Sequence, residues 1–412
     1  MNRTHWLTAA LLAGAPVPAP AQPAPDPSVR AALDILRRDN AWTLDQQISL
    51  CEIPAPPFKE AVRGAEVARR LEALGYRTTV DQVGNVIATR AGTGGGRRLI
   101  LAAHLDTVFP EGTDVRVSQD GGRLNGAGIG DDCRGLAVVL AVARAMARAN
   151  VATAGDVVFV ANVGEEGPGN LRGIRHLFDQ KSAGPVAAFV SVDGVGLGMV
   201  TRAVGSNRYR VTFQGPGGHS FGDFGMPNPM HAMGRAIAGI ADLPVPSSPR
   251  TVFNVGVVEG GTSVNSIAAK ATMQVDLRSE SAEALAGLDG AVQRAIQSAV
   301  TAEKARWPGS AAALGVTIDV IGRREAGTQP DTLWLARAAQ NAARSLGFPV
   351  PAGIAASTDA NVPIGLGIPA LAIDGGGRGD GAHSLSEWYE DGDRGYLGPQ
   401  WALLIAVAAT AR

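Results

Sequence analysis

Histidine and carboxylate residues at a few places carry the chemistry this chain can offer. Six histidines occur in 412 residues, and His104 and His383 stand among carboxylates and glycines. His104-Leu-Asp106 puts two polar side chains on one side of extended backbone, because strand side chains alternate. An aspartate there can accept the proton of the imidazole nitrogen facing away from a metal, which fixes the tautomer and raises the ring's basicity. Asp131-Asp132 follows the flexible run Gly126-Ala-Gly-Ile-Gly130. An aspartate in such a loop can hold two cations at once, one per oxygen. Glu165-Glu166 sets two like charges side by side, and these resist joint ionisation without a cation. One can bind metal while the other takes a proton from bound water. Histidine with carboxylate donors suits zinc, with manganese or cobalt as alternatives. The residues alone point to a two-metal hydrolase.

These side chains need elements that bring them together. His104, Glu165/Glu166 and Asp193 each follow an apolar run: Leu99-Ile-Leu-Ala-Ala103, Asp156-Val-Val-Phe-Val-Ala-Asn-Val163 and Ala187-Ala-Phe-Val-Ser-Val192. Alone, each has an ordinary explanation, a hydrogen-bonded histidine or a capping acid. Together they mark the carboxyl edge of an open α/β sheet, where ligands bind. Short apolar strands alternating with helices predict a sheet covered on both faces. Helical patterns run over Val29–Leu50, Glu60–Leu74, Leu136–Ala149 and Leu171–Phe178, and again from Asp331 to Leu346. Pro369-Ala-Leu-Ala-Ile373 reads as one more core strand. From Ser206 the texture changes to strand, helix, two strands, helix, strand, the order of a ferredoxin-like module. The division expected is a catalytic domain over 28–205 and 323–412, interrupted by an inserted α+β domain over 206–322.

Composition narrows the partners. The chain is 45% apolar and 18% charged, enough for a large core, and Lys+Arg 37 against Asp+Glu 38 leaves a formal charge of −1. That balance argues against nucleic acid or an anionic membrane surface. Two cysteines, Cys51 and Cys133, form no disulfide framework and no Cys-x-x-Cys site. Arg3 and His5, the apolar stretch Trp6–Ala15 and Ala19-Pro-Ala21 describe a cleavable secretory signal over 1–21, with export to a bacterial periplasm or the medium. The stretch is too short to span a bilayer, and Pro16, Pro18 and Pro20 break it.

His104-Leu-Asp-Thr, Gly130-Asp-Asp, Gly164-Glu-Glu-Gly, Ser191-Val-Asp193 and Ala382-His383-Ser-x-x-Glu387 also carry a resemblance. In order and spacing they resemble the dinuclear-zinc metallopeptidases and amidohydrolases that include peptidase T, carboxypeptidase G, the aminoacylases and the succinyl-diaminopimelate desuccinylases. The resemblance covers nearly everything after the signal. It implies a mixed-sheet zinc-peptidase catalytic domain, with the insert as a lid through which two copies dimerise. It also implies that Asp131 bridges two metals, with His104 and Asp193 completing one site and Glu166 and His383 the other. Glu165 becomes the general base and proton donor, and Asp106 orients His104. His219, in Gly215-Pro-Gly-Gly-His-Ser, becomes an oxyanion donor, in many members across the dimer. Asn265 and Arg278 fall in segments that resemble substrate contacts. Many members have Lys after the Asp-Asp pair, where this chain has Cys133-Arg134. Cys133 reads as a bystander, and His176 and His231 read as structural.

The expected activity is hydrolysis of a peptide or N-acyl amide bond through a hydroxide bridging the metals. A carboxypeptidase, dipeptidase or N-acyl-amino-acid deacylase needs a clamp for a carboxylate, which Arg278 can supply as a bidentate pair. An aminopeptidase resembling peptidase T needs an acid for the free amine, and the lid offers few, Asp223 and Glu259 among them. A ligand-binding homologue without catalysis has no use for Glu165, and a phosphoesterase lacks a basic cluster for phosphate.

Overall fold

The computed structural model describes residues 26–179 and 184–411; the expected signal segment, 1–21, lies outside them. Among the described residues no helix is long and apolar enough to cross a membrane.

The apolar runs build a nine-stranded mixed sheet. At its centre Val157–Asn162, Leu99–His104, Ala188–Val192 and Ala370–Ile373 lie side by side, all parallel. Antiparallel strands Thr78–Val80 and Val86–Arg90 extend one side, and Met199–Ala203 extends the other. Alternation sends Leu99, Leu101 and Ala103 into one core and Ile100 and Ala102 into a second on the opposite face. The first core is closed by Pro27–Arg38, Cys133–Arg148, Trp334–Leu346 and Leu397–Ala409, the second by Arg172–Asp179 and Asn361–Gly365. Burial on both faces is why these strands read as continuous apolar runs.

Two details depart from the sequence pattern. The helical run expected over Val29–Leu50 is two helices, Pro27–Arg38 and Asn40–Cys51. The break falls at Asp39, whose carboxylate meets Arg144 at 2.9 Å and Arg148 at 2.8 Å. A second sheet of short, mostly polar strands gave no alternation to read: Ser118–Asp120, Arg123–Asn125, Arg378–Asp380 and Trp388–Glu390. It fixes both ends of the 381–387 loop, and so places His383.

The insert has its own sheet, ordered Thr251–Gly260, Lys270–Ser279, Gly205–Gln214, Gly315–Arg324 and antiparallel throughout. Helices Pro229–Ala241 and Ala282–Arg306 pack on it around Val211, Phe213, Met273, Val292 and Ile296. Strand order and connectivity are those of a ferredoxin-like module. Its two links to the catalytic sheet are stapled by one side chain. Asn361 Nδ2 donates to Val204 O at 2.9 Å and to Glu325 O at 2.8 Å.

Candidate metal centre

Because the four central strands are parallel, their carboxyl ends share one edge. His104 ends its strand, Asp193 and Asp374 follow theirs, and Glu165 and Glu166 stand just beyond Asn162. Asp131 arrives on the glycine loop before helix Cys133–Arg148. Glu387 holds that loop. Its buried carboxylate accepts from Gly128 N and Gly130 N, both at 2.8 Å, and from Asp131 N at 2.9 Å.

Asp131 is the hub. Its Oδ1 lies 3.0 Å from His104 Nε2 and its Oδ2 3.1 Å from His383 Nε2, which is also 3.1 Å from Glu166 Oε1. Each oxygen of one carboxylate faces a different imidazole, as a bridge between two cations requires. Asp132 is used differently. One oxygen accepts from His104 N at 2.9 Å, and the other caps the helix through Gly135 N at 3.0 Å. Ligand atoms of His104, Asp131 and Glu166 gather within 4.8 Å of one another, as do those of His104, Asp132 and Asp193.

The donor set fits divalent cations. Two imidazoles and several buried carboxylates converge, and none of Asp131, Glu166 or Asp193 has a lysine or arginine partner among the described residues. Burial pushes the Asp193 carboxyl up to about 7, with Asp131 adding to it. Hydrogen bonds to Asp131 and Glu166 carry His383 up to about 10. Acids that resist ionisation and a histidine that holds its proton are what crowded ligands show until a cation takes the proton's place.

Asp106 works mainly through its backbone and its neighbours. Its carbonyl O lies 3.0 Å from His104 Nδ1, whereas its carboxylate is 3.6 Å away. The carboxylate accepts from Glu165 N at 3.0 Å and Glu166 N at 2.9 Å, so one residue orients His104 and pins the glutamate pair. Glu165 is buried and paired with Arg324, whose Nη1 lies 2.8 Å from Oε1 and whose Nη2 donates to the Glu165 carbonyl. Burial holds the Glu165 carboxyl well above the usual range, and Arg324 works against it.

A cavity of about 600 Å³ opens over these groups, lined by Glu165, Glu166, Asp193 and His383 and, from the insert, by Arg208, Arg278 and Arg324. Arg278 Nε meets Asp276 at 2.7 Å and Arg208 Nε meets it at 3.1 Å, so two guanidinium groups share one carboxylate. His219 and Asn265 are exposed and do not line the cavity of their own chain. His219 Nδ1 accepts from Phe221 N and Gly222 N, both at 3.2 Å. Cys133 points into an apolar cluster with Cys51, Leu124, Ile129 and Tyr389, and neither ligand group includes it. Arg134 is a buried strut to Gly375 O at 2.7 Å and Gly395 O at 2.8 Å.

Arg324 and Asp374 escaped the sequence reading. A lone arginine gives no signal, but Asp374 does: like Asp193, it directly follows an apolar strand.

Residues 100–397 match the peptidase family M20/M25/M40. The chain belongs to this family. As an M20/M25/M40 member it is a metal-dependent hydrolase of peptide or amide bonds, built to hold two divalent ions, with zinc the first choice for these donors. A Corynebacterium glutamicum succinyl-diaminopimelate desuccinylase is 27% identical over 238 residues, 56% of this chain and 64% of that protein. A Pyrococcus abyssi relative, assigned as a hydrolase of LysW-linked lysine or ornithine, is 36% identical over 118 residues, 29% of this chain and 32% of its own length. The match thus spans less than two thirds of either relative. In structure, the aminopeptidase PepT of Bacillus cereus superposes with a TM-score of 0.71 at 21% identity, covering 89% of this chain and 98% of that one.

Proposed function

We propose that this enzyme is an exopeptidase or N-acyl-amino-acid deacylase that anchors its substrate by a free carboxylate. One observation carries the reading: Arg208 and Arg278 share a single counter-ion, Asp276, on the wall of the cavity that holds the metal-binding acids. Two cations on one anion leave a positive charge facing the substrate, and an arginine fork matches a carboxylate.

Asp131 would bridge the two ions, His104 and Asp193 would complete one site, and Glu166 and His383 the other. The chemistry supplied by two divalent ions in such a site is polarisation of the scissile carbonyl and a nucleophile from water at neutral pH. Glu165 takes the proton of the attacking water and delivers it to the departing nitrogen. Its raised pKa suits both halves of that transfer. Asp106 keeps Glu165 and Glu166 in register by holding both backbone N–H groups. His219, exposed on the insert, would serve the cavity of a second copy docked through the lid.

The test is a hydrolysis panel with the zinc-reconstituted protein, using dipeptides and N-acyl amino acids free or blocked at either end. Cleavage should survive blocking of the amine and fail when the carboxyl is blocked, and Arg278→Ala should remove that difference. The opposite pattern makes the protein an aminopeptidase and leaves Arg278 as a strand-surface residue.

A further inference from the structure

The cavity contains one acid that the proposed mechanism does not use. Asp374 lines it, yet belongs to neither ligand group and to no ion pair among the described residues. The other lining acids are spoken for: Asp131, Glu166 and Asp193 by the ligand groups, Glu165 by Arg324. Asp374 Oδ2 accepts one bond, from Gly198 N at 2.6 Å. The loop Gly194-Val-Gly-Leu-Gly198 is drawn tightly around this carboxylate, and a Cβ at Gly196 or Gly198 would sit 2.8 Å from Oδ2. Arg134, buried beneath, ties down the next residue through Gly375 O. A half-buried carboxylate is thus fixed in place with one backbone donor and no cation. Burial pushes its pKa up to about 6, Gly198 N–H opposes this, and no charged side chain is among the influences on it.

The surroundings say what could satisfy it. Val200, Ile354 and Ala356 line the same cavity, and Val200 and Ile354 are paired across neighbouring parallel strands. Apolar wall followed by an isolated acid suits an alkyl chain that ends in a cation, the stem lying on the wall and the charge meeting the carboxylate. An α-amine is a poorer match. It lies one carbon from the scissile carbonyl and would sit among the metal ligands, whereas a side-chain cation can extend away from them along the apolar wall.

We propose that Asp374 is a specificity-determining residue that receives a cationic substrate side chain, of the lysine, ornithine or arginine kind. The proposal rests on the reading of this cavity as the substrate site.

The experiment uses the zinc-reconstituted full chain and four peptides with free carboxyl ends. Three are acetylated at the α-amine: lysyl-norleucine, norleucyl-lysine and norleucyl-norleucine. The fourth is unacetylated norleucyl-norleucine. At least one lysine peptide should exceed its acetylated norleucine counterpart about tenfold in kcat/KM, and Asp374→Asn should erase that ratio. Calorimetry with free lysine and free norleucine, which differ only in the terminal ammonium, gives a second readout without turnover. Lysine should bind wild type about tenfold more tightly, and the variant no more tightly than norleucine. Equal treatment of lysine and norleucine by wild type overturns the proposal without any variant. So does a lysine preference that persists in Asp374→Asn, or a preference for the free α-amine that the variant abolishes. Should no peptide be cleaved while lysine still binds preferentially through Asp374, the catalytic reading falls and the Asp374 assignment stands. If Asp374→Asn does not fold, Asp374→Glu, which displaces the charge, should reduce the same ratios.

Discussion

Removing Arg324 should expose how strongly the insert is coupled to the proposed base. Its side chain and that of Glu165 are 6% and 7% exposed, with Nη1 at 2.8 Å from Oε1 and at 3.1 Å from Ser357 Oγ. Arg324→Met keeps the stem but leaves Glu165 buried without its partner. Breaking one side of a buried pair costs about 3–5 kcal/mol. In a chain of 412 residues that is a fall in Tm of about 4–6 °C, at roughly 1.2 °C per kcal/mol from the usual unfolding entropy per residue. Glu165→Gln strands the guanidinium and should also destabilise. The double variant removes both charges and should melt above Arg324→Met, with a coupling energy of about 2 kcal/mol. Calorimetric melting of wild type, both single variants and the double variant measures this. Turnover gives an independent sign. Arg324 draws the Glu165 pKa down against burial, so its loss raises that pKa. Less base is then ionised at neutral pH, and the acid limb of the rate profile moves to higher pH. Strictly additive single variants and an unmoved acid limb would refute the coupling.

Glu165→Gln should keep both metals, measured by elemental analysis, while losing nearly all turnover; retained turnover removes Glu165 from the base role. Glu166→Gln should lower metal occupancy, and full occupancy after dialysis counts against it as a ligand. Glu387→Ala deletes the acceptor of three backbone N–H groups, each a charge-assisted bond of about 1.5–3 kcal/mol. Both Tm and zinc affinity should fall, and unchanged zinc affinity would show that the Asp131 loop holds its shape unaided. Asp374 has a folded pKa of about 6, raised from 3.8 by burial. The stability contributed by its protonated form is complete below about pH 4 and lost as pH rises through about 6. Asp374→Asn should therefore gain on wild type by about 2–3 kcal/mol between pH 4 and pH 8 in urea melts; a pH-independent difference would mean that the acid is already compensated.

The strand ends were legible because burial on both faces leaves uninterrupted apolar runs, and a polar residue closing such a run stands out. His104, Glu165/Glu166 and Asp193 were found this way. Asp374 obeys the same rule and was passed over because no motif surrounds it. Adjacency alone does not separate Asp131 from Asp132; the resemblance favours Asp131, and the two bonds that commit Asp132 to His104 N and the helix cap support that reading. The sheet formed by Ser118–Asp120 and its partners was illegible, since three-residue strands show no period. Arg324 was beyond reach for another reason. It pairs with a residue 159 positions away, and no local pattern encodes that encounter.

Arg324 closes the last strand of the insert, and Asn361 binds both chain crossings one residue outside that sheet. For anyone grafting inserts between relatives to change what such enzymes cleave, the join is therefore not a neutral seam. A graft ending before Arg324 keeps the recipient's own contact to the buried glutamate at position 165, whereas one ending after Glu325 imports a foreign one. Chimeras cut on either side of this arginine should differ in turnover even when every other lining residue of the cavity is the same.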